Sequence, residues 1–241
     1  MNDDLDQLLK NLKMTAMREV VERELARAQK NKSSYAEFYA RLLREQYQLQ
    51  KLRSLEYRIE RAKLPERWAL ETFPIQLQPG VHEPTVKQYG ELDFVAKKEN
   101  IVFVGPTGTG KTGLASALLL KALENGYRGL FIRAQDLFDE MYQSLADRSS
   151  RKLLNRLMTA DVLLIDEMGY LNLRPEQSNL FFKLMEERYT RKSTIITTNL
   201  DYDDWYGFLG RKEMVGALLS RLRHHCHTLR IDGPSLRTPT G

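Results

Sequence analysis

The sequence predicts an α/β protein with a five-stranded parallel sheet flanked by helices, preceded by a small all-helical N-terminal domain. Two observations carry this. After residue 100, short apolar runs alternate with helical stretches, as strands joined by crossover helices do. Before that, residues 5–64 contain neither glycine nor proline and are rich in Leu, Ala, Arg, Glu, Gln and Lys, which favours helix.

Along the chain, Leu5, Leu8, Leu9, Leu12 and Ala16 follow helical spacing. The polar run QKNKSS at 29–34 separates this helix from a second, with Ser33 or Ser34 as N-cap and Glu37 placed for a capping box. The second helix runs to Leu64-Pro65, where proline disfavours its continuation. Residues 71–90 concentrate Pro and Gly and predict a linker with little regular structure. The strands follow as IVFV 101–104, LFIR 130–133, VLLI 162–165, TIITT 194–198 and TLRI 228–231. Helices are expected from Lys111 to about Asn125, across 136–158, and from Pro175 to about Arg191. This gives a helical domain at 1–70, a linker at 71–98 and an α/β domain at 99–241.

Composition excludes several classes. No apolar run approaches 18 residues, and the acidic start MNDDLDQLLKNLK has no apolar stretch of the kind a secretory signal needs. The one cysteine cannot form an internal disulfide, so a cytoplasmic setting without a membrane is expected. Charge is uneven. Residues 1–70 hold 15 Lys+Arg against 11 Asp+Glu, whereas 71–241 hold 22 against 21. A basic first part beside a nearly neutral remainder suggests a polyanion partner, although a solvated helical face would read the same way.

The chemistry lies at the predicted strand ends. Gly105-Pro106-Thr107-Gly108-Thr109-Gly110-Lys111-Thr112 fits the G-x-x-x-x-G-K-[ST] phosphate loop, directly after one strand and before a helix. Its glycines let backbone N–H groups turn toward phosphate oxygens, and the positive end of the following helix adds to the attraction. Lys111 suits the β- and γ-phosphates of ATP, and the Thr112 hydroxyl suits Mg²⁺. VLLIDE ends in Asp166, suited to holding Mg²⁺ through water, and Glu167, suited to polarising an attacking water. Strand alternation is expected to turn these two carboxylates different ways. TIITTN ends in Asn199, whose amide can bond both a γ-phosphate oxygen and the lytic water.

Phosphate loop, LLIDE and TTN in this order resemble the AAA+ ATPases. LLIDEMGY, IITTNL, SRL and GPSLR narrow the likeness to the branch shared by DnaC and IstB. The N-terminal LLKNLKMTAM…YAEFYARLLREQ…RIERAKLPERWALETF is similar to the IstB family of insertion-sequence ATP-binding proteins. That resemblance implies a DNA-binding, ATP-dependent ATPase that forms homo-oligomers with intersubunit ATP sites and works with a transposase of the IstA type. It implies that Arg221 of the SRL box is the arginine finger offered to a neighbouring subunit. It also implies that Arg237 of GPSLR contacts nucleotide in its own subunit, although Leu236 stands where an aromatic is usual. Two surfaces are candidates for duplex DNA. One is the N-terminal helical segment, with Arg41, Arg44, Lys51, Arg53, Arg58, Arg61 and Lys63. The other is residues 135–158, which resemble the extra helical insertion of initiator-type AAA+ proteins and carry Arg148, Arg151, Lys152 and Arg156. In that clade the insertion points toward a central channel.

The stretch RLRHHCHTLR, 221–230, gathers three of the four histidines and the only cysteine. Adjacent ligands cannot all converge on one ion, and structural zinc sites space their ligands in pairs. A metal site is not expected there, and the residue that the resemblance singles out in the stretch is Arg221. Two other readings are a helicase loader, whose N-terminal helices would bind a helicase, and a small-molecule kinase, which would work as a monomer. A third is a scaffold that binds ATP and scarcely hydrolyses it.

Overall fold

The computed structural model describes residues 3–236 except Tyr170 and Arg211. The chain divides into two compact units, Met1–Tyr57 and Arg58–Gly241.

The first unit holds α1 (Asp3–Asn11), α2 (Thr15–Asn31) and most of α3 (Tyr35–Ala62). Two helices were expected and three form. The break is at Lys13, whose φ of 57° ends α1 in the left-handed region, with no Gly or Pro to announce it in the sequence. Leu9, Met17, Val21 and Leu42 form a small core. Ser34 caps α3 as the spacing implies: Glu37 N–H donates to Ser34 Oγ at 3.3 Å and Ser34 N–H donates to Glu37 Oε2 at 3.0 Å.

The second unit begins inside α3. Residues 71–90 are more ordered than a linker. Two 3₁₀ turns (Leu70–Thr72, Ile75–Leu77) lead into α4 (Glu83–Gly90), which precedes the short α5 (Asp93–Ala96). Pro84 lies in the first turn of α4, where its missing N–H costs nothing and its fixed φ suits a helix start. Phe73, Val81, Val86 and Tyr89 are buried against the sheet, so this segment is part of the core.

The sheet comprises β1 (Asn100–Val104), β2 (Gly129–Arg133), β3 (Val162–Met168), β4 (Ser193–Thr198) and β5 (Cys226–Arg230). Its order is β2-β3-β4-β1-β5, with every pair parallel. The helices between strands are α6 (Lys111–Glu124), α7 (Ala134–Ala146), α8 (Ser150–Thr159), α9 (Pro175–Arg188), α10 (Trp205–Leu209) and α11 (Lys212–His224). Strand alternation divides the core between the two faces. Ile101 and Phe103 join Leu114 and Leu118 of α6, whereas Val102 and Val104 join Phe138, Phe181 and Leu219 on the other face. The carboxyl ends of β1, β3 and β4 thus share one edge, where parallel sheets bind ligands.

The helices α7 and α8 are built into this body. The first packs on β2 and β3, and the second on α7 and α9, with Leu137, Phe138, Met141, Leu153, Leu154 and Leu157 buried. The helical insertion expected at 135–158 is therefore anchored by a continuous apolar face, and Arg148, Arg151, Lys152 and Arg156 lie on its exposed side. No helix among the described residues is long and apolar enough to cross a membrane.

At the opposite edge of the sheet, Asp161 accepts from Arg128 N–H at 3.0 Å, from the Arg128 guanidinium at 3.1 and 3.2 Å, and from Lys192 Nζ at 2.5 Å. Burial acts to raise its pKa, but Arg128 and Lys192 outweigh burial and hold it well below the ordinary carboxylate range. A depressed pKa stabilises the fold above the unfolded value of about 3.9, and that contribution fades as pH falls toward the folded one. Asp161→Asn is expected to lose about 1–2 kcal/mol at neutral pH. Denaturant melts should show this gap constant from about pH 5 to 8 and closing only below about pH 4.

Candidate nucleotide site

A cleft of about 880 Å³ opens at the carboxyl edge of the sheet, lined by Thr107, Gly108, Gly110, Lys111, Thr112, Asp166, Glu167 and Asn199. The phosphate loop joins β1 to α6. Gly108 and Gly110 have φ of +88° and +91°, conformations that residues with a Cβ rarely adopt. Close chain contact adds a second reason for glycine. A Cβ on Gly105 would lie 2.1 Å from Ile231 O, and one on Gly108 would lie 2.3 Å from Ser235 Oγ. The loop is thus wedged against residues 231–236. That segment is held in turn by Ile231 N–H to Val104 O at 2.8 Å, Leu236 N–H to Gly108 O at 2.8 Å and Gln78 Nε2 to Pro234 O at 2.9 Å. Within the loop, Thr109 Oγ1 donates to Pro106 O at 2.9 Å. Lys111 Nζ donates to Gly105 O at 2.7 Å and Pro106 O at 2.6 Å.

Asp166 and Glu167 do divide, but alternation is not the reason. In a regular strand Glu167 would follow Ile165 by two and share its face, buried among Phe181 and Leu184. Instead β3 slips register against β4 between Ile165 and Met168, and Met168 takes that apolar position. Glu167 is the inserted residue. Its φ is +58° and it is exposed, while Asp166 is 3% exposed. A bulge of this kind re-aims one side chain without disturbing its neighbours. Asp166 Oδ1 accepts from Thr112 Oγ1 at 2.9 Å and from Thr197 Oγ1 at 2.6 Å, and the same Thr197 oxygen accepts the Glu167 N–H at 2.9 Å. Asn199 follows β4 at the cleft wall. A Cβ on Gly169 would come within 3.3 Å of its Oδ1, so a glycine there leaves the amide room.

Sequence reasoning missed much of the cleft wall, including Trp68, Phe73, Arg133 and Thr197. The two aromatics belong to the segment before β1, close to the loop. Trp68 lies 3.3 Å from the position of a Cβ on Gly113, and Phe73 lies 2.9 Å from that of Gly110. Arg133 ends β2 beside Asp166 in register. The available signal was the aromatic pair in ERWALETF, which straddles the start of the stretch read as linker.

Arg221 does not figure among the described residues that line this cleft. It is exposed on α11, 3.4 Å from Glu186, at the rim of a groove between α9 and α11. Arg237 lies outside the described residues. The histidines beyond Arg221 do not converge on one point: two meet Tyr189 and the third meets Glu99. His224 Nδ1 is 3.2 Å from Tyr189 OH, His225 meets the Tyr189 ring, and His227 Nε2 is 2.9 Å from Glu99. Burial pushes the Cys226 thiol up to about 11, which keeps it inert.

The basic residues expected to meet DNA fall into two groups. Arg41 bonds Glu24 at 2.9 Å, Arg53 bonds Thr15 at 3.1 Å, Arg58 donates to Leu123 O at 2.8 Å, and Arg156 pairs with Glu140. Arg41 and Arg58, both half-buried, are framework residues, which the sequence pattern did not distinguish from surface charges. Arg44, Lys51, Arg61, Lys63, Arg148, Arg151 and Lys152 are exposed.

The IstB-like ATP binding protein family model matches residues 7–240. The chain belongs to that family. An ATP-binding protein of insertion sequence IS21 from Pseudomonas aeruginosa is 37% identical, over 97% of this chain and 88% of its own length. Another, of insertion sequence IS5376 from Geobacillus stearothermophilus, is 36% identical over 85% of this chain and 81% of its own length. Among solved structures, the DnaC helicase loader is 28% identical with a TM-score of 0.54, covering 62% of this chain and 88% of that one. AMPPCP-bound DnaA from Aquifex aeolicus, 23% identical, shares the fold with a TM-score of 0.58 over 70% of this chain and 51% of its own. The α/β unit is thus an AAA+ ATPase fold, and the family member it forms is an ATP-binding protein associated with insertion sequences.

Proposed function

We propose that this protein is an ATP-dependent regulator of transposition, which self-assembles on duplex DNA, remodels the target and recruits a transposase of the IstA type. The observation that carries the hydrolytic part is the bulge at Glu167. It keeps Asp166 buried beside Thr112 while turning the adjacent carboxylate into the cleft. ATP is the substrate, held by the N–H groups of residues 105–112 and by Lys111. The Thr112 and Asp166 oxygens, 2.9 Å apart, form a hard oxygen pair suited to Mg²⁺. Mg²⁺ bound there neutralises charge on the β- and γ-phosphates. Glu167 accepts a proton from the attacking water, and Asn199 orients that water against the γ-phosphate. Trp68 and Phe73 are suited to flank the base.

Arg221, remote from its own cleft, acts on the neighbour's nucleotide, and Arg237 contacts its own. Both add positive charge where the transferring phosphoryl group needs it. The exposed basic residues of α3 and of the α7–α8 turn meet DNA phosphates, so binding should be strong at low salt and largely indifferent to sequence. A cytoplasmic setting fits this work.

Mixing two inactive variants tests the shared site. Lys111→Ala and Arg221→Ala are each expected to lose hydrolysis. Randomly mixed assemblies on DNA should recover roughly a quarter of it, because one neighbour pair in four joins an intact loop to an intact arginine. No recovery, with full activity in isolated Arg221→Ala subunits, would remove Arg221 from the site. The likeness to the DnaC loader favours a second reading, in which the N-terminal unit binds a hexameric helicase. Capture of a replicative helicase but not of duplex DNA by the intact protein would select it.

A further inference from the structure

We infer that Thr197 is the positioning residue that holds Glu167 in its hydrolytic pose, through one hydroxyl shared between the two carboxylate-bearing residues. The inference rests on the reading of the cleft as an ATPase centre and adds a residue which that reading does not need.

Thr197 is fully buried in β4, next to the bulge. A hydroxyl has one proton to give and lone pairs to accept with. Here the proton goes to Asp166 Oδ1 at 2.6 Å, and a lone pair accepts the Glu167 backbone N–H at 2.9 Å. A non-glycine residue at positive φ persists only where its surroundings over-determine it. The bond to Thr197 is the side-chain contact fastening that N–H, and the accepting hydroxyl is locked in direction by its own donation to Asp166. Asp166 in turn is fixed by Thr112, the second residue of α6. A continuous chain therefore runs from the phosphate loop through Thr112, Asp166 and Thr197 to the Glu167 backbone. Without the hydroxyl, the bulge loses its fastening. Glu167 then moves toward the alternation of a regular strand, which points it into the apolar face shared by Ile165 and Met168. Thr197 touches neither substrate nor water in this scheme.

Thr197→Val keeps the shape and removes both bonds. Steady-state hydrolysis with and without duplex DNA, alongside binding of a fluorescent ATP analogue, should show kcat lowered by roughly ten- to a hundredfold, with nucleotide affinity within about threefold of wild type. Thr197→Ser, which keeps the hydroxyl, should restore kcat to within about threefold. Because Thr197 acts through Glu167, adding Thr197→Val to Glu167→Gln should slow hydrolysis no further. Should the valine variant fail to fold, Thr197→Ala serves in the same comparison. Unchanged kcat in the valine or alanine variant overturns the inference. So does a serine variant as slow as the valine one, or a full additive loss in the double variant. Absence of hydrolysis by the wild type overturns the ATPase reading beneath it, a different result from an active wild type matched by Thr197→Val.

Discussion

Glu167→Gln is expected to bind ATP within about threefold of wild-type affinity and to hydrolyse it about 10²–10⁴-fold more slowly, the range for loss of a positioned general base. The amide matches the carboxylate in shape, so the bulge, the N–H bond to Thr197 and the buried position of Met168 should all survive. What changes is proton affinity: an amide cannot take the proton released when water attacks. ATP holds the assembled state in the proposed cycle, and hydrolysis ends it. The variant should therefore also remain on DNA longer, visible as slow dissociation from a labelled duplex after ATP is chased away. Wild-type turnover by Glu167→Gln would remove the carboxylate from catalysis and leave the exposed glutamate at positive φ without a chemical reason.

Strand positions were legible because each apolar run is short and the first four are each followed by a helical stretch. VLLI and TIITT admit few other structures. The phosphate loop was legible for a related reason, since its glycines, lysine and threonine fall at fixed offsets between a strand and a helix. What escaped was set by tertiary contact. Nothing local in NLKMTA marks Lys13 as a helix stop, because left-handed lysine is an unusual choice there. Pro74, Gly80 and Pro84 suggested loose chain, yet Phe73, Val81 and Val86 around them are buried in the core. The bulge is the sharpest case. LLIDEM reads as simple alternation, and only pairing with β4 shows that Met168, not Glu167, occupies the next apolar position. For the same reason charge density did not separate Arg41 and Arg58, which hold the framework, from Arg44 and Lys51, which are exposed.

Arg188→Met is expected to be the most destabilising single change, by about 3–5 kcal/mol, because it breaks a buried hydrogen-bond network rather than trimming a surface. Arg188 ends α9 and is 1% exposed. Its guanidinium donates to Thr194 Oγ1 at 3.0 Å, Leu157 O at 2.9 Å, Ala160 O at 3.0 Å and Ser193 O. Burial works to lower its pKa, and the nearby Asp161 carboxylate partly offsets that. These acceptors close α8 and open β4, so one planar fork joins the helix before β3 to the strand after it. Methionine would fill the volume and leave three carbonyls without that donor in a region water does not reach. For a unit of this size the melting temperature should fall by about 10 °C. Arg188→Lys is expected to recover less than half of the loss, because a single ammonium cannot span acceptors set for a planar fork. Since Ser193 and Thr194 begin the strand that carries Thr197 and leads to Asn199, hydrolysis should fail on warming in step with this melting. Below the transition the rate should stay close to that of the wild type, and a variant folded but inactive at low temperature would place Arg188 in the catalytic apparatus instead.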